Sequence, residues 1–348
     1  MRLDNVRLGL TFDDVLLVPQ RSTVRSRQKV SVKTNLSRGV ELAIPILAAN
    51  MDTVCEWEMA LAMGRLGGIG IIHRFLSIAE QAAQISNVKN EGVLVGAAVG
   101  TDRDAIDRAH AMVEAGVDVL VLDIAHGHSD HAIDTVRSLK KSFPSTDLIA
   151  GNVATRRGAE DLVRAGADAI KVGVGPGGVC TTRIVAGVGV PQLTAVNDCA
   201  GLEVPVIADG GIRTSGDIAK ALAAGAQSVM IGSMFAGTTE SPGEVEQSPH
   251  GLVKRVRGMA SFEALERRAH REGTEIDEEY LEQRAPEGVE GTVAYRGSVG
   301  PLVQKLLAGV RSSMSYSDAL TIAEFQQKAE FVRITNAGLT ESHPHATR

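Results

Sequence analysis

Apolar residues along this chain gather in short runs of four to seven, with most of the charged residues between them. The runs stand at 45–49, 68–72, 93–99, 117–123, 148–151, 169–172, 204–208 and 228–231. Continuous apolar stretches of this length suit strands covered on both faces, as in a parallel sheet. The segments between them are alanine-rich and carry charges at helical spacing, most clearly at 104–115, 157–165 and 215–224. Three of these helices end in one device: Ala-Gly-Val-Asp at 115–118, Ala-Gly-Ala-Asp at 165–168 and Ala-Gly-Ala-Gln at 224–227. The glycine reads as a helix C-cap, after which the next strand begins at once.

Eight strand–helix alternations predict an α/β chain folded as a closed (β/α)8 TIM barrel, whose usual size is about 250 residues. An open doubly wound sheet is the competing architecture, but no Gly-x-Gly-x-x-Gly opens a first βα unit. The expected organisation is a single barrel over residues 1–348, a mobile flap or lid inserted at 242–298 after strand eight, and a C-terminal tail at 325–348. The charged stretch 263–290 also has an ordinary reading, a solvated helix plus linker.

A barrel of this kind carries its chemistry at the C-terminal ends of its strands, and polar residues fall there. Strand one ends in Asn50-Met51-Asp52, strand four in Asp123 with His126 and His128, and strand five in Asn152. Strand seven ends in Asp209-Gly210-Gly211 and strand eight in Gly232-Ser233. Strand six runs into Val-Gly-Val-Gly-Pro-Gly-Gly-Val-Cys-Thr-Thr-Arg at 172–183. Its glycines leave backbone groups bare around Cys180, and two threonines follow, so this thiol reads as prepared for chemistry. Cys55 and Cys199 lack such a loop and read as packing residues. Trp57, Met59 and Met63 lie at helical spacing and read as core or subunit contact.

Composition narrows the function. A net charge of −6 and a pI near 5.9 offer no basic surface for nucleic-acid phosphates, and 3% aromatics argue against base-stacking platforms. Three cysteines without Cys-x-x-Cys pairs speak against a disulfide framework or zinc site, which fits a reducing cytoplasm. No run approaches the ~18 apolar residues of a membrane span, and the first residues contain no apolar signal segment, so a soluble chain is expected.

Loops seven and eight are the usual phosphate grip of this barrel, so Asp209-Gly210-Gly211 and Gly232-Ser233 point to a phosphorylated ligand, with the Asp209 carboxylate on sugar hydroxyls. Cys180 would face that ligand as a nucleophile that adds to an electrophilic carbon and later leaves. On the motifs 173–183, Asp209-Gly-Gly and Gly232-Ser233, the chain resembles the IMP dehydrogenase and GMP reductase family over nearly its whole length. The resemblance implies a homotetrameric purine-nucleotide oxidoreductase that binds Cys180 covalently to C2 of a purine nucleotide monophosphate, with NADPH or NAD giving or taking hydride. It places Met51, Asp209, Gly210, Gly211, Gly232, Ser233, Gly258 and Met259 on the nucleotide, and Asp123 and Asn152 near the nicotinamide. It also implies a potassium site formed by backbone oxygens of Gly175, Gly177 and Cys180 with Glu341 and Ser342 of a neighbouring subunit's tail. The regulatory domains that dehydrogenases of the family usually insert after the second βα unit are absent, since 84–92 runs straight into Val93.

The motifs divide between the two activities. The stretches 125–129, 187–192, 211–217 and 341–345 look like dehydrogenase, whereas 21–27, 49–54 and the missing regulatory domains look like reductase. The Arg-Tyr pair with which the dehydrogenases activate water is not present as such: Arg271 is followed by Glu272, and Tyr280 follows Glu279. Glu287 matches the flap glutamate that, with the threonine two residues after the cysteine, here Thr182, relays protons in the reductases. The leading expectation is therefore GMP reductase, converting GMP and NADPH to IMP, ammonia and NADP through Cys180, Thr182 and Glu287. The alternatives are IMP dehydrogenase, with IMP, NAD and water giving XMP and NADH, and a non-catalytic barrel that binds purine nucleotide. One departure stands out: where the family usually has serine, two residues before the cysteine, this chain has Gly178.

Overall fold

The computed structural model describes residues 6–262, 264, 266 and 285–344. Each of the eight apolar runs forms a strand: β1 Ile46–Ala48, β2 Ile69–Ile72, β3 Val95–Val99, β4 Val119–Asp123, β5 Asp147–Val153, β6 Ala169–Val172, β7 Val206–Asp209 and β8 Ser228–Ile231. Neighbours pair in parallel in chain order, and β8 returns to β1 with Met230 beside Leu47, which closes the barrel. Closure leaves no unpaired barrel edge. Helices α1 Trp57–Arg65, α2 Ile78–Lys89, α3 Ala105–Glu114, α4 Asp130–Ser142, α5 Arg156–Ala165, α6 Gln192–Cys199 and α7 Ser215–Ala223 alternate with the strands. Helix α8, Val299–Tyr316, completes the ring by packing on α7 and α1 through buried Val303, Leu307 and Val310. The chain is thus a (β/α)8 barrel.

The repeated Ala-Gly device has a physical basis in its last three positions. Gly116, Gly166 and Gly225 each hold a left-handed φ, which an L side chain resists. The residue after each glycine donates its N–H five residues back, Val117 to Met112, Ala167 to Leu162 and Ala226 to Ala221, which is the Schellman stop. The fourth residue then locks two strands. Asp118, Asp168 and Gln227 each accept a side-chain hydrogen bond from the backbone N–H of Val95, Leu148 and Val206, and each donates its own N–H to the carbonyl of the same residue. One sequence motif therefore ends a helix and sets the register of β3–β4, β5–β6 and β7–β8.

The insertion after β8 contains the strands Glu246–Ser248, Gly251–Arg257 and Glu290–Ala294, which form a three-stranded antiparallel sheet among the described residues. Near the other end of the chain, Val15–Leu17 pairs antiparallel with Phe331–Arg333, and helix Ile322–Lys328 buries Phe325. No helix among the described residues is long and apolar enough to cross a membrane.

Candidate active site

Four barrel strands end in polar residues that bind one another. Lys171, in β6, is 2% exposed, yet its Nζ donates to Asp123 Oδ1 at 3.0 Å, to Asp209 Oδ2 at 2.8 Å, and to Asn152 Oδ1. Asn152 Nδ2 in turn donates to Asp209 Oδ2 at 2.9 Å and to the Gly173 carbonyl at 2.8 Å. Burial pulls the Lys171 ammonium down, but Asp209 and Asp123 outweigh it and hold the group well above its usual pKa. Burial pushes the Asp123 carboxyl up, and Lys171 and Arg74 more than reverse this, so the group lies below the usual carboxylate range. Asp123 therefore faces the barrel mouth as a fixed anion.

Above this cluster lies the cysteine loop. It can sit there only because Gly173 lacks a side chain: a Cβ at that position would fall 2.0 Å from the Asp209 carbonyl. Buried Gln192 ties the loop's base to its neighbour, donating Nε2–H to the carbonyls of Val172 at 2.8 Å and Asp209 at 3.0 Å. Cys180 is half-buried, with its Sγ 3.2 Å from Thr182 Oγ1. Cys55 and Cys199 are fully buried. Burial pushes both thiols up, that of Cys199 to about 12, so neither forms a thiolate near neutral pH.

Glu287 arrives from the insertion. Thr181 N–H donates to the Glu287 carbonyl at 2.9 Å, and Val289 N–H to the Val179 carbonyl at 3.0 Å. Two further bonds, Glu287 N–H to Ala260 at 3.1 Å and Gly258 N–H to Val289 at 3.0 Å, seat the same stretch on Gly258–Ala260. Backbone pairing thus places Glu287 in the same cavity as Cys180 and Thr182, which sequence distance alone does not reveal.

Two adjoining cavities open at the strand ends. One, of about 310 Å³, is lined by Met51, Asp209, Gly210, Gly211, Gly232 and Ser233, with Gly178 at its wall. The other, of about 410 Å³, is lined by Cys180, Thr182, Glu287, Asp123, Asn152, Gly258 and Met259. Met51, Gly177 and Asp209 border both, so a ligand in the first extends toward Cys180 in the second. Bare amides and a hydroxyl at one end suit a phosphate, and a thiol, a hydroxyl and a carboxylate at the other suit nucleophilic attack with proton transfer.

The remaining sequence candidates lie apart. Glu341 and Ser342 are exposed, and Ser342 Oγ donates to its own helix at the Gly338 carbonyl, 2.8 Å away. No hydrogen bond joins either residue to Gly175, Gly177 or Cys180 among the described residues. No group of three metal-ligating side chains occurs among the described residues. His128 pairs with Asp161 at 2.8 Å, while His126 is exposed. Arg271 and Tyr280 lie outside the described residues.

Sequence reading missed Lys171, Gln192 and Arg257. The signal for Lys171 was present, a lone charge inside the apolar run Ala169–Val172. Gln192 opens an ordinary helix, and Arg257 finds its partners Asp52 and Glu290 at separations of 205 and 33 residues, so neither carried a local signal.

The family model described as IMP dehydrogenase / GMP reductase domain matches residues 9–345. Inosine-5'-monophosphate dehydrogenase of Nitrosopumilus maritimus (strain SCM1) is 40% identical, over 97% of this chain and 98% of the relative. GMP reductase of Leishmania major is likewise 40% identical, over 97% and 96%. Both alignments, of 466 and 477 residues, are longer than this 348-residue chain, so the relatives carry segments it lacks. Among solved structures, GMP reductase from Trypanosoma brucei in complex with guanosine 5'-monophosphate superposes with a TM-score of 0.93 at 39% identity, covering 99% of each chain.

Proposed function

This chain belongs to the IMP dehydrogenase / GMP reductase family of oxidoreductases, and within it we propose that it acts as a GMP reductase, turning GMP and NADPH into IMP, ammonia and NADP. The observation that carries the reading is the grouping of Cys180 Sγ, 3.2 Å from Thr182 Oγ1, with Glu287 in one cavity. A carboxylate and a hydroxyl beside the thiol are what departure of an amine requires.

The phosphate and ribose of the nucleotide lie in the smaller cavity, and its purine extends into the larger one. Its phosphate takes the amides of Gly210, Gly211 and Gly232 and the hydroxyl of Ser233, and its ribose hydroxyls donate to Asp209, an acceptor-only group when ionised. Met51, Gly258 and Met259 enclose the purine. Cys180 passes its proton through Thr182 to the Glu287 carboxylate and attacks C2 as a thiolate. Thr182 passes a proton to the 2-amino group and is reprotonated from Glu287, so nitrogen leaves as ammonia and C2 stays bonded to sulfur. Hydride arriving at C2 then expels the thiolate and leaves IMP.

The larger cavity suits a flat cofactor ring. Ile124, Val174 and Met259 give it apolar walls, and the fixed anion Asp123 stands at its rim beside Asn152. A nicotinamide cofactor bound there supplies the hydride. Asp123 and Asn152 orient that ligand, while closure of the insertion over Cys180 excludes water that would otherwise hydrolyse the covalent adduct.

Near-ultraviolet absorbance of purified protein tests the reading. NADPH consumption that depends on GMP, with ammonia released in equal amount, is the expected result. NADH production that depends on IMP, with no turnover of GMP, overturns it in favour of the dehydrogenase. Measurable binding of GMP or IMP with no turnover of either overturns both enzymatic readings. Running the same assay in potassium and in sodium tests the cation expectation, which indifference between the two ions would remove.

A further inference from the structure

The stretch that carries Glu287 is anchored by one buried guanidinium. Arg257 ends the central strand of the inserted sheet, with only 8% of its side chain exposed. Its Nε lies 2.9 Å from Asp52 Oδ2, and its Nη1 donates to Glu290 Oε2 at 3.1 Å. Its backbone N–H donates to Thr53 Oγ1 at 3.3 Å. The other carboxylate oxygen of Glu290 accepts from Arg255 at 3.0 Å, and Asp52 N–H contacts Met259 Sδ at 3.4 Å.

Chain connectivity makes this arrangement consequential. Asp52 follows Met51 directly, Met259 lies two residues after Arg257, and Glu290 lies three residues after Glu287. One permanently charged fork therefore joins the loop after β1, the floor at Gly258–Met259 and the return strand that presents Glu287. Loss of Arg257 would leave the Asp52 carboxylate, 9% exposed, without its cation and Glu290 with Arg255 alone, a state the protein relieves by separating these pieces.

We infer that Arg257 is a positioning residue, which holds the 286–289 stretch closed on Val179–Thr181 and so sets Glu287 against Cys180 and Thr182. The inference rests on the reading of Glu287 as proton relay, but its geometric half is measurable without turnover. Cys55 and Cys199 are buried, so iodoacetamide labelling of the intact protein, read by mass spectrometry, reports access to Cys180.

Three variants are compared with the parent: Arg257→Gln, the milder Asp52→Asn, which stays informative where Arg257→Gln folds poorly, and Glu287→Gln. Arg257→Gln and Asp52→Asn are expected to speed Cys180 alkylation by about tenfold or more, as a locally opened segment does. Glu287→Gln, with the clamp intact, should leave the alkylation rate near that of the parent while lowering kcat. Combining Arg257→Gln with Glu287→Gln should lower kcat no further than the slower single variant does, because both act through one carboxylate. Parental alkylation rates in Arg257→Gln and Asp52→Asn, or kcat losses that multiply in the double variant, overturn the inference. Full turnover by Glu287→Gln sinks the relay reading instead, and the alkylation rates then still decide whether Arg257 holds the stretch closed.

Discussion

Two polar regions lie side by side at the mouth of this barrel, and they treat their functional groups in opposite ways. In the cluster of Asp123, Asn152, Lys171 and Asp209, the groups bind chiefly one another, and the central lysine is sealed from water. In the loop after β6, Cys180 and Thr182 touch each other and otherwise face a cavity. The difference follows from charge and position. A buried ion must be paired or lose its charge, so residues inside the strands form a closed set that stiffens four strand ends. A nucleophile must keep its reactive atom unengaged, so it stands on a loop that those ends support. The three cysteines repeat the contrast, since burial holds Cys55 and Cys199 as inert thiols while Cys180 remains half-exposed.

Removing the nucleophile gives the largest expected effect. Cys180→Ala should lower kcat by about 10⁴-fold or more, the scale seen when a covalent nucleophile is deleted, with an unchanged unfolding transition. Cys199→Ala should leave kcat within about twofold and act on stability alone. Turnover by Cys180→Ala at a tenth of the parental rate or above would show that the open loop is not where the chemistry begins.

Next comes the closed cluster. Lys171→Met leaves Asp123 and Asp209 together without their central cation and should destabilise the fold by about 3–5 kcal/mol near neutral pH. The pH dependence identifies the cause. In the parent, Asp123 titrates below its unfolded value, so its contribution is present above that value and is lost as pH falls through the lower folded one. In the variant, burial is opposed only by Arg74 and Asn50, so Asp123 is expected to titrate higher than in the parent. The variant's deficit should therefore shrink as pH falls from about 7.5 toward about 5. Urea midpoints at both pH values measure this, and a deficit that stays constant would mean lost packing rather than lost charge pairing.

The barrel was legible because its signals are local. Eight apolar runs and three Ala-Gly stops each report their own few residues, and the structure realises all of them. Even there, the fourth position of the device shows no role in the sequence, because its action as a register lock needs the neighbouring strand in place. The thiol loop was legible for the same local reason. What escaped was held by long-range pairs: Arg257 meets Asp52 across 205 residues, and Lys171 looks like one misplaced charge until Asp123 at the end of β4 and Asp209 at the end of β7 pair with it. Glu287 entered the sequence reading through resemblance rather than periodicity, and backbone pairing with the cysteine loop is the physical feature that brings it to the cavity.

The smallest predicted effect bears on the open region itself. Gly178 borders the cavity assigned to the phosphate, and its backbone is not in the left-handed region that demands glycine. A Cβ there would meet one neighbour, Ser233 Oγ at 3.3 Å, a contact that a hydroxyl rotation or a small shift relieves. Gly178→Ser should therefore fold normally and add a second hydroxyl beside Ser233. A hydrogen bond to a charged acceptor contributes about 1.5–3 kcal/mol, and crowding against Ser233 takes back part of it. The expected result is a KM for the nucleotide lowered by about threefold to tenfold with kcat unchanged, because the phosphate contact is the same in ground and transition states. A Gly178→Ser enzyme with unchanged KM would place the phosphate away from this wall, whereas one with lowered kcat would mean that the glycine is needed for the loop to carry Cys180 to its target.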